Sequence, residues 1–323
     1  MHARLVHFAF GLSLIAALIA PTSARADWPD RPIKWIVPFG PGGANDLITR
    51  AAAEAVSKRL GQPVVIENKP GAGAIVGAEY VAKAKPDGYT WLIGAAGVIT
   101  NSMIRSDMPY ADSDLVPVGM IAVAPSVIVV HPSVPANTLK ELIAWSNAQS
   151  GGIDWATAGT ASTPHFVAEM LREAGMKVTI VPFKSGAEGV TAVLSNTVAA
   201  TSEASIVVLP QIKAGKLKAI ATTYTKRITA YDTLATAKEQ GYSDVEIGHW
   251  AGLFAPKGTP SAIVQRMSSE LEAAVWSPEF REKMVPSGIE PEPRSTESFV
   301  AFITAERNRL GKLAKKANMR ADR

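Results

Sequence analysis

The 323-residue sequence contains no cysteine. That absence excludes disulfide scaffolds, thiolate zinc sites, iron–sulfur clusters and cysteine nucleophiles. Histidine is scarce as well: past the N-terminal segment only His131, His165 and His249 occur, no two of them at metal-ligand spacing. Neither G-x-S-x-G nor H-E-x-x-H is present, so the common hydrolytic signatures are missing. Nor does one sign of charge dominate. The net charge of +4 is far from the concentrated basic surface of a nucleic-acid binder, and no nucleic-acid partner is expected. Charged residues make up 19% of the chain and hydrophobic ones 47%, a balance that excludes a disordered polymer. A chain of this length buries roughly 75% of its unfolded surface and needs no metal or disulfide to fold. It exceeds the usual size of one compact domain, which predicts two lobes.

Long apolar runs are confined to the start. Arg4 precedes the apolar stretch Phe8 to Ala20, which spans only about 20 Å as a helix, short of the roughly 30 Å of membrane hydrocarbon. Ala24 and Ala26 form an A-x-A cleavage pattern, predicting a removed signal peptide over residues 1–26 and a mature start at Asp27. Removing Arg4 and Arg25 leaves 31 basic and 29 acidic residues, or 31 − 29 = +2. The expected location is the periplasm, with the mature chain soluble.

Apolar strands alternate with amphipathic helices along the mature chain. Ile33 to Phe39, Val64 to Glu67 and Thr90 to Gly94 read as strands; Asp46 to Leu60 and Ala74 to Lys85 read as helices. This alternation predicts a parallel sheet covered on both faces. Val118 to Val130, bracketed by Pro117 and Pro132, is almost continuously apolar and suits a crossing between lobes. A second series follows. Its helices are Leu139 to Gln149, His165 to Ala174, Ala187 to Leu194 and Val207 to Ala214; its strands are Ile153 to Thr157, Val178 to Val181, Val198 to Ser202 and Ala219 to Thr223. His249 to Ala255 reads as a return strand, with helices Ala262 to Trp276 and Thr296 to Ala317 after it. The second series sits inside the first, which predicts an α/β, two-lobed clamshell with two crossing hinge segments. Residues 27–122 and 248–323 form lobe 1, and residues 123–247 form lobe 2.

Each lobe has one strand-to-helix turn suited to an anion. The first strand runs into Pro38-Phe39-Gly40-Pro41-Gly42-Gly43-Ala44-Asn45-Asp46, where glycines permit a tight turn and the helix presents unpaired N–H groups. It is not a Walker loop, because no Lys-Ser/Thr follows; a plain turn capped by Asn45 or Asp46 is the bland alternative. The nested series repeats the device at Ala158-Gly159-Thr160-Ala161-Ser162-Thr163-Pro164-His165, with Pro164 suited to the first helical turn. Two such ends can grip a small anion from opposite sides. Gly71, Gly73 and Gly77 resemble a dinucleotide fingerprint but follow Asn68-Lys69-Pro70 and lack the acidic partner, so no cofactor is expected. Ser162 and His165 permit a nucleophile–base pair, leaving an exported hydrolase as a rival class; His165 otherwise donates to a ligand or caps locally.

The runs Trp28-Pro29-Asp30-Arg31-Pro32-Ile33 and Val37 to Asp46, then Leu60 to Gly73, Lys85-Pro86-Asp87-Gly88-Tyr89-Thr90, Ser162-Thr163-Pro164-His165, Phe183-Lys184, Ala214-Gly215-Lys216-Leu217 and Trp250 to Pro256 resemble the Bug-type receptors. These are the periplasmic solute-binding proteins of tripartite tricarboxylate transporters. The resemblance spans the mature chain in order. It implies a Venus-flytrap receptor, not an enzyme, that holds a small carboxylate-bearing ligand between lobes and delivers it to a membrane permease, or else serves a sensing role without transport. The simplest assembly is a monomer. The implied ligand shell is Phe39, Gly42, Gly43, Ala44, Asn45 and Asp46 on one side and Thr160, Ser162, Thr163 and His165 on the other, joined by Gly97, Thr100, Lys184, Gly186 and Glu203. This chain departs from the pattern at Ser185 and Glu188, where relatives commonly carry Gly and Pro. Glu203, with Glu188 as a second candidate, is expected to face the cleft. A carboxylate there is suited to select a ligand with an ammonium, hydroxyl or ring N–H beside its own carboxylate.

Overall fold

The computed structural model describes residues 28–321; the predicted signal peptide lies outside the described residues. The chain begins with β1 (Ile33–Val37), α1 (Ala44–Leu60), β2 (Val64–Asn68), α2 (Ile75–Ala82), β3 (Thr90–Gly94) and α3 (Ala96–Ile104). The long strand β4 (Leu115–Val130) leads to α4 (Leu139–Ala148), β5 (Ile153–Thr157), α5 (Thr163–Glu173) and β6 (Val178–Pro182). Then come α6 (Gly186–Leu194), β7 (Ala200–Ala204), α7 (Ser205–Lys213) and β8 (Lys218–Thr222). The return strand β9 (Gly248–Pro256) precedes α8 (Ser261–Val275), α9 (Pro278–Met284), β10 (Glu290–Arg294) and α10 (Thr296–Lys316).

The sheet is mixed, not the parallel one that strand–helix alternation predicts. β1 pairs in parallel with β2 and β3, and β5 with β6 and β7. β9 is antiparallel to both β3 and β4, and β4 is antiparallel to β7 and β8. The reason is directional. In each half the helix-linked strands run toward the junction, whereas the chain that has just crossed must run away from it. That chain is β4 beyond Ser126 in one half and β9 in the other. β4 pairs with β9 from Leu115 to Pro125 and with β7 from Ser126 to Val130, so one strand belongs to both sheets.

Side chains alternate across these strands, which gives each half two buried faces. Ile33, Trp35 and Val37 pack with α1 and with Leu253, Met267 and Leu271, while Ile36 and Leu92 face Ile75, Trp250, Phe254 and Phe299. In the second half Ile128, Trp155 and Phe166 form one cluster, and Val127, Val129, Val193 and Val208 the other. Helix α10 joins two of them. Phe299 and Ile303 lie with Trp250 and Phe254, but Leu310, Leu313 and Ala314 lie with Trp155 and Phe166. The C-terminal end continues this seating: Met319 is buried there, and the Ala321 N–H donates to the Ile104 carbonyl at 3.2 Å.

Helix α2 starts later than its sequence period suggests because Gly71, Ala72, Gly73 and Ala74 all have positive φ, which alanine adopts only under local strain. Leu310→Ala removes a buried branched side chain from the cluster around Trp155 and should cost about 2–5 kcal/mol. A urea titration of the variant checks this, and an unmoved midpoint would show that α10 contributes no packing there.

Candidate functional site

The carboxyl ends of β1 and β3 point toward the junction, as do those of β5 and β7, and the helices that follow open at that same edge. At α1 the opening is left free. Its N-cap, Gly43, is extended (φ −77°, ψ 169°) and no side chain caps the helix. The first backbone bond runs from the Leu47 N–H to the Gly43 carbonyl at 3.0 Å, so the Ala44, Asn45 and Asp46 N–H groups precede the hydrogen-bonded ladder. A macrodipole of about half an elementary charge adds to these donors.

Asp46 builds the turn and does not reach for a ligand. Its carboxylate accepts from the Gly42 N–H at 2.9 Å, from Arg50 Nε at 2.9 Å and from Asn68 Nδ2 at 2.9 Å. Burial opposes ionisation of this carboxyl, but the Arg50, Gly42 and Asn68 donors outweigh burial and hold it below its usual 3.8. The Gly42 N–H points back at Asp46 from a left-handed conformation (φ 82°) that suits glycine. Asn68 also donates to the Phe39 carbonyl at 3.0 Å, and the Asn45 carbonyl accepts from Thr49 Oγ1 at 2.5 Å. The loop is therefore fixed before any ligand arrives.

The α5 end is partly occupied by its own turn. Ser162 Oγ donates to the Gly159 carbonyl at 2.7 Å, the Ala161 N–H donates to His165 Nδ1 at 3.3 Å, and the His165 N–H reaches the Ser162 carbonyl at 3.0 Å. His165 Nε2 leans toward Glu169 Oε1 at 3.6 Å. His165 thus caps locally and does not present Nδ1 to a ligand. Ser162 and His165 share no side-chain hydrogen bond, and each spends its reactive atom on backbone groups. Pro164 brings no N–H, so Thr163 supplies the free first-turn donor beside exposed Thr160.

The remaining expected residues divide. Gly97 is half-buried against the Gly73 carbonyl at the start of α3. Thr100 lies away from any surface: it is 0% exposed and its hydroxyl donates to the Ala96 carbonyl at 3.0 Å. Lys184 is exposed, and its N–H donates to Glu188 Oε2 at 3.2 Å, while the Glu188 N–H donates to Ser185 Oγ at 3.3 Å. Glu188 is thus part of a capping arrangement at α6. Glu203 does lie at the junction, where it pairs in register with Val127. It is 8% exposed and its Oε1 accepts from the Ala204 N–H at 2.7 Å. His249, opposite Ala124 on β4, brings Nε2 to 3.5 Å from that oxygen. The sequence offers little to link these two, since a lone histidine on a return strand carries no spacing signal. Arg50 and Asn68, which fix the α1 turn, are equally silent until the loop is folded.

Two sheets sharing one strand, with helix N-termini open where they meet, define the two-lobed periplasmic solute-binding class. Residues 48–319 match the model of the tripartite tricarboxylate transporter family receptor, and the chain belongs to that family. It is 36% identical over 303 residues to a UPF0065 protein of Bordetella pertussis, covering 93% of this chain and 94% of that one. The periplasmic binding protein BugD is similar in structure with TM-score 0.82 and 33% identity, covering 91% of this chain and 100% of BugD. An R. palustris protein solved with adipate gives TM-score 0.85 and 31% identity, covering 92% and 100%. The expected family and the two-lobed α/β fold are thereby borne out.

Burial pushes the His249 imidazole below its usual 6.5, with Glu203 pulling weakly upward. The folded chain then holds this proton less tightly than the unfolded chain. Stability from the neutral ring is complete above about pH 6.5 and is lost as pH falls below it. The denaturation midpoint should therefore drop between about pH 6.5 and 5, and drop less in His249→Gln. Parallel pH profiles for the two proteins would remove His249 from the account.

Proposed function

We propose that this chain is an exported receptor that captures a small carboxylate-bearing molecule between its lobes and passes it to a membrane permease. The observation that carries the reading is the uncapped α1 N-terminus, held open by Asp46 at the edge facing α5. Membership of a transporter-receptor family supports it, as does the adipate in a similar protein. Residues 1–26 act as the export signal, and residues 27–122 with 248–323 close against residues 123–247 about the β4 and β9 crossings. Among the described residues no helix is long and apolar enough to cross a membrane.

A ligand carboxylate at α1 meets three backbone donors. Charge-assisted hydrogen bonds contribute roughly 1.5–3 kcal/mol each, and the helix dipole up to about 2 kcal/mol. Three such bonds approach the roughly −8 kcal/mol of a micromolar complex after ordering costs. No arginine or lysine is needed.

One substitution isolates this mechanism. Ala44→Pro removes a single N–H at the first helical position, where proline is well tolerated, and the extended Gly43 before it is compatible with a following proline. The variant should keep its melting temperature and lose carboxylate affinity by about tenfold or more, as read by calorimetry. Unchanged affinity would place the ligand elsewhere. In parallel, a bound carboxylate should shrink the radius of gyration in X-ray scattering. A profile unaltered at saturation would end the closure reading.

A further inference from the structure

The anion seats at α6 and α7 in the second half are filled by the chain itself. Glu203 Oε2 sits where a Gly186 Cβ would come within 1.7 Å, so glycine is required there for the carboxylate to rest against the first residue of α6. Its other oxygen takes the Ala204 N–H, at the residue that caps α7. One buried side chain thus lies at the positive ends of two helices, where a free anion would otherwise be favoured. Among the described residues no lysine or arginine nitrogen lies within 4 Å of it, and the one basic group in range is His249 at 3.5 Å. His249 Nε2 is itself buried without a hydrogen-bond partner. Register places both at the crossing that would form the floor of the proposed cleft: Glu203 opposite Val127 and His249 opposite Ala124, on either side of Pro125.

We propose that Glu203 is a tethered carboxylate that makes this receptor select a ligand with one carboxylate at α1 and a cationic nitrogen or other hydrogen-bond donor at its far end, and reject a second carboxylate there. This rests on the receptor reading above. A dicarboxylate of the same length would bring like charges together in a water-poor floor, which costs affinity. An ammonium group would instead meet a carboxylate that lacks a charged partner.

The test uses matched pairs of equal chain length: 6-aminohexanoate against adipate and 4-aminobutanoate against succinate, with hexanoate as the plain monocarboxylate. Calorimetry on the wild-type chain should show at least one amino member binding about tenfold or more tighter than its dicarboxylate partner. Glu203→Gln keeps an acceptor for the Ala204 N–H and should erase that preference. Glu203→Ala should vacate the seat and tighten dicarboxylate binding. A wild-type chain that binds dicarboxylates as tightly as their amino partners overturns the inference while leaving the receptor reading intact. So does a ratio that survives Glu203→Gln in protein whose melting temperature is unchanged. Failure of every carboxylate in the series, hexanoate included, would instead remove the receptor reading and the inference with it.

Discussion

β4 supplies backbone hydrogen bonds to both sheets along one continuous 16-residue strand, and most of the architecture depends on that sharing. A strand cannot reverse within itself, so strands that run with it in the first half must run against it in the second. The carboxyl edges of the two halves are thereby aimed at one another across Ala124 to Ser126. Helix N-termini follow from those edges. Polar residues such as Glu203 and His249, unremarkable in separate sheets, are brought within a few ångströms because both sit beside the one strand that crosses.

Four of the helices that start near the junction use their positive ends differently. At α1 a carboxylate behind the loop holds the backbone donors outward. At α5 the turn bonds to itself through Ser162, Ala161 and His165. At α6 the Ser185–Glu188 pair closes the cap, and Glu203 leans across both α6 and α7. Lobe 1 is therefore electrostatically unfinished and lobe 2 largely complete. Under the function proposed above, the first half holds the anionic end of a ligand and the second half judges what remains.

Much of the fold is legible in the residues alone. The limits of β5 agree with those read from Ile153 to Thr157, and the α1 turn is visible from its glycines and the helix period after it. Other elements are hidden for physical reasons. Helix α3 carries Gly97, Val98, Ile99 and Thr100, poor helix formers that packing against Gly73 and α10 overrides. Strand β10 reads Glu-Pro-Glu-Pro-Arg, and two prolines argue against a strand unless it lies at an edge, as this one does beside β4. Helix α9 has a usable signal in Ser277-Pro278-Glu279, a cap followed by proline. In the site, backbone donors can be placed from local sequence, but Thr100 cannot be seen to be buried, nor Glu188 to be spent on a cap. The approach of His249 to Glu203 links strands far apart in the chain and has no local signature.

Helix α10 adds a consequence of its own. It starts among the aromatic residues of the first half, and its last turns lie between Met103 and Ile104 of that half and Trp155 and Phe166 of the other, so one helix straps both halves. Relative motion of the halves therefore has to shear the contacts of this one helix.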